Sequence, residues 1–382
     1  MDRFASDLLV VGAGILGLSH AYAAARRGLK VRVFERSATP VGASVRNFGQ
    51  ALVTGQPPGV MLELAKASRG LWASWSVAAG FEVKRNGSLL FARTEAEETL
   101  LAAFCAGRAQ QHDYRVELLS RAQLSDLYGG RFNHHRAALH GFDDQQLYSR
   151  EAIPKLIGYL QRELGVEFHF STLVSGVEPG HLQSTAGSFR GRQVVVCSGH
   201  DYLTLLAEPM AALNPRVCRL QMLRGRPDSN LDLQHSVLTG LSCVHYAAFS
   251  DLPEAAAVRA EIQRNYPHLE EHGIHLLVSP TPYGDLIIGD SHDYATDASP
   301  FNSEQVDQWM LALAEDTLGC KIQVMERWQG VYGAKGPNPF SRLDIAPGLS
   351  ATLMHSGVGM SVGPALGEQA VTAMFGAPDS TL

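Results

Sequence analysis

The sequence predicts an α/β fold (α+β overall) built from two interleaved domains, one around a parallel sheet and a smaller one around an antiparallel sheet. Residues 7–11 are a short apolar run, typical of a strand buried on both faces. An Ala-rich helix at 18–27 ends at Gly28, and a second apolar strand follows at Val31–Phe34. A β-α-β unit of about thirty residues implies parallel strands. Another buried strand at 193–197 indicates that the parallel domain is not contiguous in sequence.

The remaining elements follow from periodicity and turn residues. Helices are predicted at residues 61–79, 95–112, 120–127 (with Ser120 as N-cap), from 149, 303–318 and 366–374. Strands are predicted at 85–93 (a hairpin arm turned by Asn86-Gly87), 165–178 (two strands), 217–223, 275–279, 285–289 (after a turn at 283–285) and 323–331. The predicted domains are 1–84, 144–214 and 325–382 for the parallel sheet, and 85–143 and 215–324 for the smaller one.

Composition narrows the class of protein. The chain has 382 residues, and 32 Lys+Arg against 38 Asp+Glu give a net charge of -6. A mildly acidic chain without a basic block is a poor binder of nucleic acid or anionic membranes. Its five cysteines form no C-x-x-C pair, and residues 1–11 lack the pattern of a signal peptide. We therefore expect reduced thiols and a cytoplasmic location.

A glycine motif predicts a dinucleotide site. Gly12, Gly14 and Gly17 form G-x-G-x-x-G between the first strand and its helix, and Glu35 ends the second strand 18 residues after Gly17. In that context the glycines allow a tight turn, a close approach of pyrophosphate and close helix packing, and the acid binds a ribose. The helix N-terminus offers N–H groups to phosphate. The next segment, GASVRNFG at 42–49, has no strand pattern, unlike a typical nicotinamide-binding domain.

The chain resembles the D-amino-acid, glycine and sarcosine oxidase superfamily of FAD-dependent amine oxidoreductases. The resemblance is carried by VVGAGILGL at 10–18, FER at 34–36, GASVRNFG, and segments 172–178, 194–199, 328–332 and 355–360. It implies a Rossmann-like FAD-binding domain and a substrate domain, matching the two predicted above. It also implies these cofactor-binding residues: Gly12, Ala13, Gly14, Ile15, Leu16, Gly17, Glu35, Arg36, Ser44, Arg46, Asn47, Phe48, Val174, Ser198, Gly199, Gly330, Gly357, Val358, Gly359, Met360 and Ser361.

Departures from the superfamily pattern are informative about the cofactor and the substrate. Monomeric sarcosine oxidases attach FAD to a cysteine at the segment that reads 330–332 here, and no cysteine occurs there, so FAD is expected to be noncovalent. Ser361 stands where those enzymes hold the substrate carboxylate with a lysine. Residues 275–290 also lack the lysine that promotes reaction with oxygen, although O2, reduced to H2O2, remains the expected acceptor.

One branch of the superfamily suggests a substrate. GASVRNFG together with RWQGVYGAKGPNP (327–339) is similar to the branch encoded with phosphonate-degradation enzymes. This implies oxidation of 2-aminoethylphosphonate, or its N-methyl or 1-hydroxy relative, to an aldehyde plus ammonia or amine. The phosphonate requires a cation and further donors. Candidate catalytic and substrate residues are Arg46, Lys335, Tyr332, His245 and Tyr246.

Several alternatives stay open and others are excluded. A glycine, sarcosine or D-amino-acid oxidase, a FAD-dependent 2-hydroxy-acid dehydrogenase, and a protein that only binds FAD all share the motifs above. His134-His135 and His272-x-x-His275 lack a complete ligand set, so no metal site is predicted. Residues 359–363 match G-x-S-x-G, but no histidine follows as a serine hydrolase requires, and no P-loop occurs. The expected partners are a small amine and an electron acceptor, and the oligomeric state is left open.

Overall fold

The computed structural model describes residues 6–334 and 338–377. The helices within them are α1 (Ile15–Ala25), α2 (Val60–Ala79), α3 (Glu95–Ala106), α4 (Arg108–Gln111), α5 (Arg121–Leu127), α6 (Ser149–Arg162), α7 (Ala207–Ala211), α8 (Ser242–His245), α9 (Ala255–Asn265), α10 (Pro267–Glu271), α11 (Glu304–Leu318) and α12 (Gly359–Phe375), with a 3-10 turn at Ala43–Val45.

The strands in the same part of the chain are β1 (Ser6–Val11), β2 (Val31–Phe34), β3 (Gln50–Ala51), β4 (Val83–Lys84), β5 (Ser88–Ala92), β6 (Val116–Ser120), β7 (Ala137–Gly141), β8 (Gln145–Leu147), β9 (Glu167–His169), β10 (Val174–Glu178), β11 (His181–Ser184), β12 (Gly187–Val196), β13 (Arg216–Pro227), β14 (Ser236–Leu238), β15 (Leu277–Pro280), β16 (Leu286–Gly289), β17 (Asp293–Ala295), β18 (Ile322–Ala334), β19 (Phe340–Ala346) and β20 (Leu349–Met354).

The first sheet has a parallel centre, which confirms the α/β prediction. Strands β9, β2, β1, β12 and β20 lie side by side and run parallel. The β10–β11 ribbon extends the sheet from the first half of β12, and β19 pairs antiparallel with β20. Val10, in the centre of β1, is fully buried opposite Val33 and Val195. The carboxyl ends of β1 and β12 therefore meet, where an open parallel sheet binds its ligand.

The second sheet is mainly antiparallel. Its strands follow the order β17-β13-β16-β15-β14-β5-β7-β6, with β18 pairing along the length of β13. A small sheet of β3, β8 and β4 accompanies the two large ones. Helix α12 returns the chain to the first sheet and packs on α1 so closely that a Cβ on Gly367 would lie 2.4 Å from Ser19 Cβ.

Three sequence predictions are wrong in detail. Segment 85–93 is not a hairpin, because β4 pairs with β8 while β5 pairs with β7 and β14, and Gly87 (φ +90°) turns the chain between two sheets. The helix expected over 95–112 is broken at Gly107 into α3 and α4. The last helix begins at residue 359 and not 366, since its glycines pack against α1, with Ile15 side-chain atoms 3.5 Å from a Cβ built on Gly363.

Other predictions are confirmed. Strand β2 has the predicted bounds, Ser120 caps α5 in a capping box with Gln123, and β15 and β16 form the expected hairpin. Among the residues described, no helix is long and apolar enough to cross a membrane.

Candidate functional site

A long cavity of about 450 Å³, the first cavity, begins at the carboxyl ends of β1, β2 and β12 and continues to β18 and the start of α12. Most of the predicted cofactor residues line it: Gly12, Gly14, Ile15, Leu16, Glu35, Arg36, Ser44, Arg46, Asn47, Phe48, Val174, Ser198, Gly199, Gly330, Gly357, Gly359 and Met360. These residues come from seven separate segments of the chain.

The glycine motif is built as a phosphate cradle. Gly12 has φ +99°, and a Cβ there would lie 2.4 Å from the Cys197 carbonyl oxygen. A Cβ on Gly17 would lie 1.9 Å from the Gly12 carbonyl oxygen, so this glycine sets how closely α1 approaches the β1 turn. A Cβ on Gly14 would approach only the Ser44 hydroxyl, at 3.2 Å. A larger side chain at this position would extend into the cavity.

Two polar side chains organise the N-terminus of α1. The Glu35 carboxylate accepts the Ala13 N–H (3.0 Å) and the Ser37 N–H (2.9 Å), which holds it beside the glycine turn. The Ser44 hydroxyl accepts the Ile15 N–H at 2.8 Å. Gly14 has no side chain to cap the helix. The helix dipole and first-turn N–H groups thus favour an anion in the cavity, while each Glu35 oxygen keeps a lone pair for a ribose hydroxyl.

The other end of the first cavity meets the N-terminus of α12. This helix of 17 residues has no side-chain cap and no acidic residue in its first turn. Trp72 holds the first turn of α12 in place, because its buried indole N–H donates to the Met360 carbonyl at 2.7 Å. Backbone N–H groups and a helix dipole directed at the cavity stabilise negative charge there.

A second cavity of about 620 Å³ adjoins the first. Its lining includes Gln50, Gly55, Gln56, Arg216, His245, Tyr246, His275, Leu277, His292, Tyr294, His355, Val358 and Ser361. Residues lining both cavities are Asn47, Phe48, Asp290, Tyr332, Ser356, Gly357 and Met360. The two spaces therefore meet where Tyr332 and α12 face one another, and a Cβ on Gly357 would lie 3.3 Å from the Tyr332 ring.

The structure places the predicted substrate residues in different surroundings. His245, Tyr246 and Tyr332 all line the second cavity. Arg46 lines only the first, where its guanidinium donates to the Gln329 carbonyl at 3.1 Å and its own carbonyl accepts the Trp328 indole N–H. Lys335 lies outside the described residues.

Four residues predicted to bind the cofactor lie off the first cavity. Ala13 contributes its N–H to Glu35, and Gly17 acts in the packing of α1. Val358 and Ser361 line the second cavity instead. The buried Ser361 hydroxyl accepts the Leu52 N–H at 2.9 Å, so it joins α12 to the chain beside β3.

Burial sets the electrostatics where the cavities meet. It raises the pKa of Tyr332 and Tyr246 well above the ordinary range, so both are neutral hydrogen-bonding groups. Burial also raises the pKa of the Asp290 carboxyl, against the opposing effect of His292. It lowers the pKa of His245 to about 3, although that ring is exposed to the cavity it lines, and lowers the pKa of His275 below its usual range.

Sequence reasoning missed several lining residues, namely Arg216, His275, Asp290, His292 and Tyr294. They come from β13, the end of the β15–β16 hairpin and β17, which are separated in sequence and meet through antiparallel pairing. Only His275 belonged to a noted pair, and its partner His272 packs on Trp309 away from the cavity. No local motif marks these positions.

The cavity fits a flavin dinucleotide, and the comparisons with known proteins agree. A glycine cradle at a helix N-terminus, a ribose-binding acid and a second helix N-terminus along one cavity define the class of flavin-dependent oxidoreductases. Residues 7–373 match the model of the FAD dependent oxidoreductase family, DAO. The chain belongs to this family and is a FAD-dependent oxidoreductase. No curated protein matches it.

Solved structures share the fold. Glycine oxidase from Geobacillus kaustophilus has 18% identity and a TM-score of 0.76, with 98% of this chain and 96% of that chain covered. Iminodiacetate oxidase from Chelativorans sp. BNC1 has 15% identity and a TM-score of 0.74, covering 98% and 96%. Dithionite-reduced L-alpha-glycerophosphate oxidase from Mycoplasma pneumoniae with FAD bound has 18% identity and a TM-score of 0.74, covering 97% and 94%. At these identities the likeness is one of fold.

Proposed function

We propose that this oxidoreductase acts on a small amine with an anionic end, and specifically on an aminophosphonate such as 2-aminoethylphosphonate or its N-methyl or 1-hydroxy relative. The products are an aldehyde and ammonia or an amine, and O2 or another acceptor reoxidises the enzyme. The observation that carries this proposal is Arg216, which is the one lysine or arginine among the described residues that line the second cavity.

Arg216 is suited to hold an anion. It begins β13, is exposed, and one of its terminal nitrogens donates to the Tyr294 carbonyl, which leaves the rest of the guanidinium fork available. A phosphonate offers three acceptor oxygens, and a guanidinium can bind two of them at once. Tyr294 and His292 lie nearby in the same cavity wall and offer further hydrogen-bonding groups.

The other end of the substrate would face the boundary between the cavities. Asp290 is a buried carboxyl that lines both of them, as Tyr332 does. A buried carboxylate is stabilised by a positive partner, which an ammonium group supplies on binding and a 2-hydroxy acid does not. This favours an amine over the hydroxy acids that the family motifs leave open.

The residues act by positioning. Bound FAD supplies the acceptor for a hydride from the carbon next to the amine nitrogen. Arg216 and the tyrosines of the cavity wall hold the substrate in one orientation and select substrates of a matching length. Only the carbon next to the amine nitrogen then enters the first cavity. The ammonium first passes one nitrogen-bound proton to the Asp290 carboxylate. Loss of the hydride from the neutral amine then leaves an iminium ion, which water hydrolyses to the aldehyde and the amine or ammonia. No side chain has to remove a carbon-bound proton.

The test is Arg216→Met, assayed on 2-aminoethylphosphonate and on an uncharged amine of similar length. Loss of a charge-assisted contact costs about 2–4 kcal/mol, or roughly thirty- to a thousand-fold in kcat/KM for the aminophosphonate. The kcat/KM for the uncharged amine should fall much less. Arg264→Met, at an exposed arginine of α9 that lines neither cavity, is the matched control and should leave both values unchanged.

The Arg46→Met variant distinguishes the role of Arg46 from that of Arg216. Because Arg46 lines only the first cavity, its loss should affect both substrates equally through the flavin. A selective loss on the aminophosphonate in Arg46→Met, with none in Arg216→Met, would move the anion site to the first cavity and contradict the role given to Arg216.

A further inference from the structure

Three histidines meet in the second cavity. His245, His275 and His292, the histidine cluster, each offer one ring nitrogen within 4.8 Å of the other two. The rings of His245 and His275 are stacked with centroids 3.7 Å apart, and His292 lies at 4.8 and 5.1 Å from them. They come from α8 and from either side of the β15–β16 hairpin, so the sequence gives no sign of the cluster.

Hydrogen bonds orient two of the rings. His292 Nδ1 lies 2.8 Å from the Gly273 carbonyl, which can only accept, so this nitrogen carries a proton and Nε2 is the nitrogen left to face the cavity. His275 Nδ1 lies 3.1 Å from the Ser242 hydroxyl, whose oxygen is also 3.2 Å from the His275 carbonyl oxygen. In the tautomer with its proton on Nδ1, each ring has an Nε2 lone pair with which it can bind a metal ion.

A carboxylate faces both of these nitrogens. Asp290 Oδ1 lies 3.5 Å from His275 Nε2, and Asp290 Oδ2 lies 3.8 Å from His292 Nε2. His275 Nε2 and Asp290 Oδ1 are buried atoms without a hydrogen-bond partner, on side chains that are 5% and 8% exposed. Buried polar atoms are normally paired, and two ring acceptors beside an ionised carboxylate have no proton to share, whereas a cation can satisfy all of them. The group lacks a positive partner.

We propose that the histidine cluster binds a divalent transition-metal ion of the Zn²⁺ type, with Asp290 balancing part of its charge. Imidazole nitrogens with a nearby carboxylate are the donors such ions prefer, and three protein ligands leave one position open. Nitrogens bound at about 2.0–2.1 Å in a tetrahedral site lie about 3.4 Å apart, so the cluster closes by shifts of about 1 Å. His245, on the one-turn helix α8 and exposed to the cavity, has room to move.

The open position would serve the substrate, and this step rests on the proposed function. An oxygen of the phosphonate can complete the coordination, with Arg216 holding the others.

Metal binding is tested on the FAD-loaded enzyme without substrate. After chelation and desalting, Zn²⁺ is added and bound metal is counted by elemental analysis, and Co²⁺ is added separately to record absorption at 550–650 nm (roughly the range of tetrahedral Co²⁺ and beyond the flavin bands). We expect one Zn²⁺ per chain and tetrahedral Co²⁺ bands. His292→Gln and His275→Gln should each weaken binding at least about a hundredfold, and Ser242→Ala, which releases the His275 ring, about tenfold.

The control is His134→Gln. His134 and His135 pack with ring centroids 4.1 Å apart, and among the described residues they belong to no three-ligand group. This variant should keep one Zn²⁺ per chain. Equal Zn²⁺ binding by His292→Gln, His134→Gln and the parent enzyme, or none by the parent, would overturn the proposal. Flavin reduction by the aminophosphonate without bound metal would leave the proposed function standing and refute the site's part in it, whereas metal binding without any such reduction would refute the function alone.

Discussion

Replacing Gly14 by valine tests whether the first cavity holds the cofactor as the fold requires. Gly14 has φ -75° and ψ 178°, an extended conformation that valine adopts readily, so the backbone itself permits the change. The added Cβ would stand 3.2 Å from Ser44 Oγ, whose hydrogen bond to the Ile15 N–H is 2.8 Å long, and its two methyl groups would enter the cavity. Crowding of this kind costs about 1–3 kcal/mol, or roughly a 5- to 150-fold rise in the Kd for FAD.

The assay is quenching of FAD fluorescence by the apoprotein, with thermal unfolding of the apoprotein alongside. Gly14→Val should weaken FAD binding while the apoprotein unfolds at nearly the parent temperature. Gly70→Ala is the control, because a Cβ there meets nothing within 4 Å in the middle of α2, and it should leave the Kd unchanged. Unchanged FAD affinity in Gly14→Val, or an equal loss of apoprotein stability, would refute the reasoning.

The remaining predictions concern the cofactor bond and the core. Acid or heat denaturation should release all FAD, since no cysteine lies at Gly330–Tyr332; flavin remaining on the denatured chain would contradict this. Burial lowers the pKa of His20 to about 4 from 6.5, so its neutral ring contributes stability that is full above pH 6.5 and lost as pH falls to 4, by up to about 3 kcal/mol. The Tm of His20→Gln should therefore fall less between pH 7 and 4.5 than the Tm of the parent enzyme. An identical fall in both proteins would argue against this role of His20. Trp72→Phe leaves the Met360 carbonyl unpaired and should lower unfolding free energy by about 1–3 kcal/mol in urea titration, whereas a neutral effect would show that water replaces the indole.

The cofactor site was predictable from sequence because its determinants are local. Gly12, Gly14 and Gly17 are joined by one turn, and Glu35 follows at the end of the adjacent strand, so strand and helix periodicity alone brings them together. Helix α12 was placed seven residues late because its first turns contain glycine and proline, which lower helix propensity in isolation. Close packing on α1 outweighs that propensity.

The second cavity was largely hidden for the opposite reason. Arg216, Asp290 and His292 share no motif, and their meeting depends on the register of β13 against β16 and β17. Arg46 was named as a candidate for both the cofactor and the substrate, and its guanidinium donates to the Gln329 carbonyl and lines the first cavity. Long-range strand pairing, which a single sequence does not reveal, decides which side chains face the substrate.

The central claim is that this FAD enzyme oxidises an amine carrying an anionic end. The most direct measurement is the absorbance of the bound flavin under anaerobic conditions, with 2-aminoethylphosphonate, its N-methyl and 1-hydroxy relatives, glycine, sarcosine and a 2-hydroxy acid added in turn. We predict that one or more of the aminophosphonates bleaches the flavin near 450 nm (roughly the position of its visible band) at a rate well above the others. Bleaching by the 2-hydroxy acid and by none of the amines would contradict the account.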